Sequence, residues 1–508
     1  MRSTNAGQPP VEPHFDGPSA GPAIGLLAAF TVLRIVVLFY NGTDLFVDEA
    51  QYWAWSRELG TGYFSKPPLI AWVIRAATEL CGHGEVCVRL PSPLIHFASG
   101  WMIYLAARRL YGPACGFWSV VACITAPGLA VSAGIISTDV LLIFFCAAAL
   151  LAFAAFLDNQ RWSAALALGA CIGFGLLSKY AMAYFLGCAV LYLLMTDRHR
   201  WVLLDVRFFA AIAVAGLIVL PNVLWNLQNG SVTVTHTADN ARWDDAQFSV
   251  LEALEFLGAQ FAVLGPILFG AFVVIALRAV RQTPPDTDRL LLFLSVPIVL
   301  LITGQAFISS AQANWAAAGY VPAIILVSAV WIRDRQKMWR GLSVGINAAA
   351  AGAAMLAAIA AGTFALPGNR DPFARWLGWE EASAGVGRVL DDAAAAGEPY
   401  ATLLTARRTI SAELPYYLRD RFDRSELVHR AWVDTPAPED HFELTRPFGA
   451  QDREPILLVM AHADVDAFRR RFKTVEFLGS VTAEAGLTRT RAFYLFRLSG
   501  YDATGGGR

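Results

Sequence analysis

DEAQYWAWSRELGTGYFSKPPLIAW, from Asp48 to Trp72, follows directly on an apolar run of about twenty residues, the length that crosses a bilayer. The chain therefore leaves a membrane at this point. The segment that follows contains two adjacent carboxylates, an aromatic stretch and a lysine before two prolines. Prolines at positions 67 and 68 force Lys66 into an extended backbone and begin the next helical piece. The pattern predicts a polar loop of defined shape at the membrane surface.

The composition of the whole chain also points to a membrane protein. Of its 508 residues, 56% are hydrophobic and 16% are charged, and the mean hydropathy is +0.47. These values indicate a polytopic membrane protein. The formal net charge of −1 provides no basic field for nucleic acid, so any preference for anionic ligands depends on local lysines and arginines.

Hydropathy predicts about eleven transmembrane helices, which start near residues 22, 93, 113, 138, 162, 180, 207, 254, 289, 315 and 341. The short loops rich in arginine, such as the one with Arg108 and Arg109, all fall on one side. The positive-inside rule makes that side cytoplasmic, together with the amino terminus. The opposite face carries the unusual polar motifs, and we expect a multi-pass protein of the bacterial inner membrane.

Three domains are predicted. Residues 1–19 are rich in Pro, Gly and polar side chains and predict a disordered tail. Residues 20–365 form an all-α membrane bundle with a periplasmic loop at 42–92. Residues 366–508 carry charge throughout and alternate strand-like runs, at 400–405, 455–460 and 492–500, with helix-like ones. They predict a soluble periplasmic α/β domain.

The loop after Asp48 has two further local features. Tyr52, Trp55 and Leu59 share one helical face, which predicts a short interfacial helix with its aromatic side toward lipid headgroups. Cys81 and Cys87 lie in the same loop, where an oxidising periplasm permits a disulfide worth roughly 2 kcal/mol. Two free thiols are an equally good interpretation of the sequence.

Two interpretations of the charged residues stand side by side. In the functional one, Lys66 is the cation of a site for a lipid-linked phosphate, and Asp48 or Glu49 is its base. In the structural one, the carboxylates cap a helix and Lys66 reaches toward headgroups. Asp139 is either an N-cap or a third carboxylate of the site, and Lys179 is either an interfacial anchor or a second phosphate ligand. The role of Arg89 is open in the same way: it either binds phosphate or pairs with acidic neighbours.

Several motifs together carry a family resemblance. They are the Asp48-Glu49 pair followed by YWAWS, GYFSKPPLIAW, VRLPS, STDVLL, GLLSKY, LPNVLWNLQNG and QANWAAAGYVPA. This order resembles the bacterial branch of the protein O-mannosyltransferase superfamily, glycosyltransferase families 39 and 83 of the GT-C fold. That group includes lipid A aminoarabinose transferases and rhizobial lipopolysaccharide galacturonosyltransferases. The resemblance covers roughly residues 20–365.

The resemblance implies transfer of a sugar from a polyprenyl phosphate carrier to an envelope acceptor, glycolipid or protein, with inversion at the anomeric carbon. Asp48 corresponds to the base of that family, and Asp139 is expected near it. The candidate residues fall into three sets: Asp48, Glu49 and Asp139 for catalysis; Lys66, Lys179, Arg89, Asn314 and Trp315 for the carrier phosphate; Tyr63, Trp225, Asn226 and Arg242 for the sugar or acceptor.

The chemistry agrees with these residue types, because an inverting displacement needs one base and a cation beside the departing phosphate. No further cofactor is required, and no metal motif such as HExxH appears. Ser65 stands where aminoarabinose transferases usually carry an acidic residue, so the donor sugar and the acceptor stay open. A transporter of polyprenyl-linked sugars is the alternative, although the internal symmetry typical of transporters is not evident.

Overall fold

The computed structural model describes residues 15–242, 246, 248–424 and 427–503, and these divide into two compact units. The helical unit comprises the chain up to Phe39, Lys66–Ile70 and Arg89–Met355. The mixed unit comprises Tyr40–Ser65, Ala71–Val88 and the chain from Leu356 onward. Most of the predicted loop at 42–92 therefore falls in the same unit as the C-terminal segment.

Most of the helical unit consists of apolar helices joined by short turns. Proline at the first helical position begins several of them, where its missing N–H costs no hydrogen bond. The helices are α1 Ala20–Phe39, α5 Pro91–Tyr111, α6 Pro113–Thr125, α7 Pro127–Ser132, α8 Thr138–Asn159, α9 Trp162–Ser178, α10 Met182–Met195, α11 Val206–Gln228, α12 Val232–Asp239, α13 Val250–Val263, α14 Pro266–Arg281, α15 Asp286–Phe293, α16 Val296–Ile308, α17 Tyr320–Arg333 and α18 Lys337–Ile359, with 3₁₀ segments at Arg200–Leu204 and Ala313–Gly319.

The chain is a multi-pass membrane protein. Among the described residues, six helical segments are long and apolar enough to cross a bilayer, or seven if α13 and α14, bent by 120° at their break, form one span. Three shorter apolar helices accompany them: α6, α9 and α10. Helix starts agree closely with the predicted positions, but the predicted count of about eleven spans is not confirmed.

One charged side chain of the first span is buried in the protein. Arg34 lies in α1 with 5% of its surface exposed, and its Nη2 donates to the carbonyl of Ile124 in α6 at 3.2 Å. Because an arginine facing lipid costs free energy, the side chain turns into the protein, where a backbone carbonyl accepts its hydrogen bond.

Phe15, near the start of the described chain, exchanges backbone hydrogen bonds with Tyr111 and Ala114. Residues 1–14 of the predicted tail lie outside the described residues.

The mixed unit contains short helices and a five-stranded sheet. Its helices are α2 Val47–Arg57, α3 Leu69–Cys81, α4 Glu85–Arg89, α19 Trp379–Ala395, α20 Arg408–Tyr417, α21 Arg419–Arg424, α22 His441–Thr445 and α23 Asp466–Arg469. Two of these helices cross the boundary between the units: the first residues of α3 and the last residue of α4 belong to the helical unit. Its strands are β1 Thr402–Thr405, β2 Val428–Ala431, β3 Ile456–Met460, β4 Phe472–Glu484 and β5 Thr490–Tyr501.

The strand order is β2-β1-β3-β5-β4, with β1 parallel to both of its neighbours and the β3–β5 and β5–β4 pairs antiparallel. The three predicted strands appear as β1, β3 and β5. Leu404, Leu458 and Phe496 bury their side chains in the core cluster of this sheet. An α/β domain of this kind is the predicted fold of the C-terminal segment.

The aromatic face of α2 corrects one expectation. The segment is helical, as predicted, but Trp53 and Trp55 are 5% and 1% exposed within the protein. Trp55 stacks on Tyr63 at 4.6 Å, and Trp53 meets Tyr416 of α20 edge-on at 5.0 Å. The aromatic side therefore does not face lipid headgroups, because helices of the C-terminal segment cover it.

Cys81 and Cys87 form a disulfide with their Cα atoms 5.8 Å apart, which settles the alternative that the sequence leaves open. Closing so short a loop stabilises the fold by about 2 kcal/mol in the chain-entropy model. We expect the double substitution Cys81→Ser/Cys87→Ser to lower the melting temperature of the purified protein. Cys171→Ser, which removes a free thiol, is the control. An unchanged melting temperature under strong reduction of the wild type contradicts the prediction.

Candidate active site

The two carboxylates at the start of α2 have different surroundings. Glu49 is 2% exposed, and its Oε2 accepts a hydrogen bond from the backbone N–H of Phe46 at 2.9 Å. It thereby closes the first turn of the helix, as an acidic residue at the third helical position commonly does. The side chain of Asp48 is 40% exposed. Asp48 is thus the carboxylate of the pair that remains accessible.

Asp48 is held by an arginine that the sequence analysis did not identify. Nη1 of Arg408 donates to Oδ1 of Asp48 at 2.8 Å and to Oε1 of Gln51 at 3.0 Å. Gln51 in turn donates from Nε2 to Oγ of Ser65 at 3.4 Å. Since 360 residues separate Arg408 from Asp48 along the chain, no local motif in the sequence indicates this pair. The C-terminal segment therefore contributes to the surroundings of the candidate base.

Arg408 is the first residue of α20, and this helix packs along α2. At its other end, the hydroxyl of Tyr417 donates to Glu85 at 2.6 Å and accepts from the N–H of Leu45 at 2.9 Å. The hydroxyl of Tyr416 donates to the carbonyl of His83. These bonds fix α20 against the loop, which positions Arg408 over the first turn of α2.

Glu413 lies in the middle of α20 with 0% exposure, and its carboxylate oxygens have no hydrogen-bond partner among the described residues. Burial, reinforced by the nearby charge of Asp44, raises the pKa of Glu413 well above its usual range. The folded protein therefore holds the proton of this group to a higher pH than the unfolded chain does, since the unfolded chain releases it above the ordinary pKa. Stability is lost as the pH rises from that value.

We expect Glu413→Gln to melt at a higher temperature than the wild type near pH 8, because glutamine is neutral in both states. The difference should shrink on acidification and vanish near pH 4, where glutamate is protonated in both states. Thermal unfolding in detergent across this range measures it. Glu381→Gln, at an exposed position, serves as the control and should show no such trend. A gain from Glu413→Gln that does not depend on pH disagrees with the prediction.

A second polar cluster belongs to the helical unit. Asp139, in the first turn of α8, accepts from Nζ of Lys179 at 2.7 Å and from Nδ2 of Asn314 at 2.6 Å. The side chains of Asp139 and Lys179 are 12% and 17% exposed. Lys179 follows the last residue of α9, and Asn314 lies in the 3₁₀ segment Ala313–Gly319. Three predicted site residues from distant parts of the chain thus meet at this carboxylate.

Beside this cluster, the end of α11 carries a buried amide network. The hydroxyl of Tyr180 donates to Oδ1 of Asn222 at 2.7 Å and accepts from Nδ2 of Asn226 at 3.2 Å. Oδ1 of Asn226 accepts from the N–H of Thr233 at the start of α12. Asn226 was predicted to contact the sugar or acceptor; here, with 5% exposure, it joins α11 to α12.

The remaining predicted residues differ in accessibility. Lys66 and Trp315 are half-buried, as is Trp225, whereas Arg242 is exposed and Arg89 is only 1% exposed. Lys66 and Arg89 belong to the helical unit.

Tyr63, predicted to contact the acceptor, is 1% exposed. Its hydroxyl accepts from the N–H of Gly60 at 3.0 Å and bonds the carbonyl of Trp55 at 3.0 Å. Burial raises the pKa of Tyr63 to about 12. Tyr63 thus joins Gly60 to Trp55 within the loop, and its contact with the acceptor stays a prediction.

Among the described residues, no group of three or more His, Cys, Asp or Glu side chains is placed to hold a metal ion. Of the three candidate carboxylates, Asp48 and Glu49 belong to the mixed unit and Asp139 to the helical unit.

Three comparisons place the chain among known proteins. Residues 65–225 match the family described as dolichyl-phosphate-mannose-protein mannosyltransferase. Lipid A galacturonosyltransferase RgtD of Rhizobium johnstonii is 40% identical over 431 residues, which are 83% of this chain and 87% of that protein. Lipopolysaccharide core galacturonosyltransferase RgtA of the same organism is 29% identical over 63% of this chain and 66% of its own length.

The fold also matches a solved structure along almost its whole length. The crystal structure of ArnT from Cupriavidus metallidurans bound to undecaprenyl phosphate superposes with a TM-score of 0.62 and 17% identity, covering 96% of this chain and all of that one. At this identity the match concerns the fold. It confirms the predicted class, a helical membrane bundle of GT-C type with a C-terminal α/β domain.

Proposed function

Because the chain belongs to the family of bacterial GT-C glycosyltransferases that includes RgtD, we propose that it transfers galacturonic acid from a polyprenyl phosphate to a sugar hydroxyl of lipid A. The chain is a membrane glycosyltransferase, so the transporter alternative is set aside. Similarity to RgtD over most of both chains is the observation that carries the choice of sugar and acceptor. Undecaprenyl phosphate in the ArnT structure supports the class of carrier.

The proposed location is the bacterial inner membrane, with the amino terminus in the cytoplasm and the mixed unit in the periplasm. The arginine-rich loops support this orientation through the positive-inside rule. The Cys81–Cys87 disulfide supports it independently, since disulfides persist in the periplasm and are rare in the cytoplasm.

In the proposed reaction, a hydroxyl oxygen of the acceptor attacks the anomeric carbon of the donor as the bond from that carbon to the phosphate oxygen breaks. Asp48 takes the hydroxyl proton, and polyprenyl phosphate leaves with the electron pair of the broken bond. A phosphate leaving group needs little help from a general acid, so one base and cations that bind the phosphate suffice. Asp48 suits the role of base because Glu49 is engaged in closing the helix.

The cations of the helical unit are proposed to hold the carrier phosphate. Lys66 and Lys179 are half-buried, and Lys179 already pairs with Asp139, which fixes its ammonium group. We assign the Asp139–Lys179–Asn314 cluster, whose side chains bond one another, to positioning. We assign Lys66, whose backbone the following prolines hold extended, to direct phosphate contact.

Lys66→Gln should raise KM for the polyprenyl phosphate donor by about tenfold or more, because one charged hydrogen bond to the phosphate is lost. KM for the acceptor should change little. Lys337→Gln, which removes an exposed lysine at the start of α18, is the matched control. Steady-state kinetics with each substrate varied in turn measure the effect. A donor KM equal to that of the wild type excludes direct contact by Lys66.

The function itself is tested with purified protein, polyprenyl phosphate galacturonic acid and lipid A, with the product followed by mass spectrometry. The expected product is lipid A carrying one added galacturonic acid. Polyprenyl phosphates of aminoarabinose and of mannose are offered in parallel. Transfer from either of these, with none from the galacturonic acid donor, contradicts the proposed sugar.

A further inference from the structure

A cavity of about 350 Å³ lies in the mixed unit, outside the surroundings of Asp48. Arg57, Arg419, Arg430 and Arg446 line it, together with the aromatic ring of Trp53 and the imidazole of His429. The volume is at the lower end of cavities that bind small molecules and suits about one sugar residue. Four guanidinium groups around so small a space indicate an anionic ligand.

The charges of the cavity are only partly balanced within the protein. Arg446 pairs with Glu58, the one carboxylate among the described lining residues, and Arg430 pairs with Asp452 at 2.6 Å. Arg57 instead contacts Nε2 of His83 at 3.1 Å, and Arg419 donates to the carbonyl of Tyr416 at 2.8 Å. Two positive charges therefore remain available to a ligand.

The histidine adds a polar group of another kind. His429 is 4% exposed, and its Nε2 lies 2.9 Å from Oγ1 of Thr405. Its Nδ1 is buried and has no hydrogen-bond partner among the described residues. Burial, with Arg446 and Arg430 adding to it, lowers the pKa of His429 to about 3, so the ring is neutral. When Nε2 donates to Thr405, Nδ1 is an acceptor that a sugar hydroxyl satisfies.

We propose that this cavity binds a phosphate-bearing sugar of the acceptor glycolipid. Arginine suits phosphate, the neutral imidazole suits a hydroxyl, and the indole of Trp53 adds an apolar wall for the sugar. The inference rests on the proposed function, because it takes the acceptor to be a phosphorylated glycolipid. Trp53 and Arg57 belong to α2, whose first turn carries Asp48, and the rise of a helix separates Asp48 from Arg57 by roughly 14 Å. An oligosaccharide spans that distance.

Titration calorimetry on the full-length protein in detergent tests the site without turnover. The probe is deacylated lipid A saccharide with its phosphates intact, and the comparison ligand is the same saccharide without phosphates. Arg57→Gln/Arg419→Gln should bind the phosphorylated probe at least about tenfold more weakly than the wild type. Arg388→Gln/Arg469→Gln removes the same charge at exposed positions outside the cavity and should bind as the wild type does.

Equal binding by the cavity variant and the wild type overturns the proposal, and so does equal weakening in the control variant. Tighter binding to vesicles of phosphatidylglycerol than to the phosphorylated saccharide overturns it in favour of a lipid surface. Melting temperatures verify that the variants fold. If Arg57→Gln/Arg419→Gln does not fold, Arg57→Gln alone replaces it, since Arg57 is exposed.

The transfer assay separates this proposal from the function on which it rests. With lipid A as acceptor, the cavity variant should show a raised acceptor KM and an unchanged kcat. Absence of galacturonic acid transfer in the wild type, with the expected calorimetric pattern intact, refutes the proposed function and leaves the anion site standing. Normal transfer with no binding at the cavity refutes the site alone.

Discussion

Asp48→Asn should reduce kcat by a factor of about 10² to 10⁴, the range that general bases contribute. Asparagine has nearly the same shape as aspartate and can still accept a hydrogen bond from Arg408 through its amide oxygen. It has no carboxylate to take the hydroxyl proton of the acceptor, so the displacement loses its base. Single-turnover measurements with the galacturonic acid donor and lipid A give the chemical step directly.

Glu49→Gln is the matched control, because it makes the same chemical change at the adjacent position. The glutamine oxygen can still accept from the N–H of Phe46, so the first turn of α2 should remain closed. We expect its kcat to stay within a few-fold of the wild type. Donor binding should be unchanged in both variants. A large loss of kcat in Glu49→Gln with activity retained in Asp48→Asn reverses the assignment of the base.

Much of the fold is predictable, because the length and composition of an apolar helix can be recognised in the sequence. The predicted starts at 113, 138 and 162 coincide with α6, α8 and α9. The count of spans is less predictable. The sequence predicts one span starting near residue 254, whereas the structure has two helices there, α13 and α14, which bend by 120° at their break. In the C-terminal domain, buried runs such as β3 are visible, whereas β4 is mostly exposed or half-buried and lacks that signal.

The candidate site, like the fold, is only partly predictable from the sequence. Residues whose chemistry is unusual for their place in the chain, such as Asp139 and Lys179, were identified from sequence, and the structure brings them together at 2.7 Å. Which carboxylate of the Asp48-Glu49 pair stays open was not predictable, because it depends on the backbone geometry of the first turn of α2. Arg408 lies in a segment where arginines are common, and only the packing of α20 on α2 distinguishes it.

Removal of the Arg408 guanidinium should lower kcat by about ten- to a hundredfold, because the charged hydrogen bond that orients the Asp48 carboxylate is lost. Arg408 does not take part in the chemistry itself, so we regard it as a positioning residue. Arg408→Gln tests this role in steady-state kinetics. Because the change concerns the base and leaves the phosphate and acceptor contacts intact, KM for both substrates should change little.

Rescue by a conservative variant separates positioning from general support of the fold. Arg408→Lys keeps a cation that can reach Asp48, although it lacks the planar group that bonds both Asp48 and Gln51, and should retain more kcat than Arg408→Gln. Arg407→Gln, one residue before α20, is the neighbouring control and should keep wild-type kcat. If Arg408→Gln instead lowers the melting temperature and leaves kcat unchanged, the pair only joins α20 to α2. The C-terminal domain then braces the loop without directing its base.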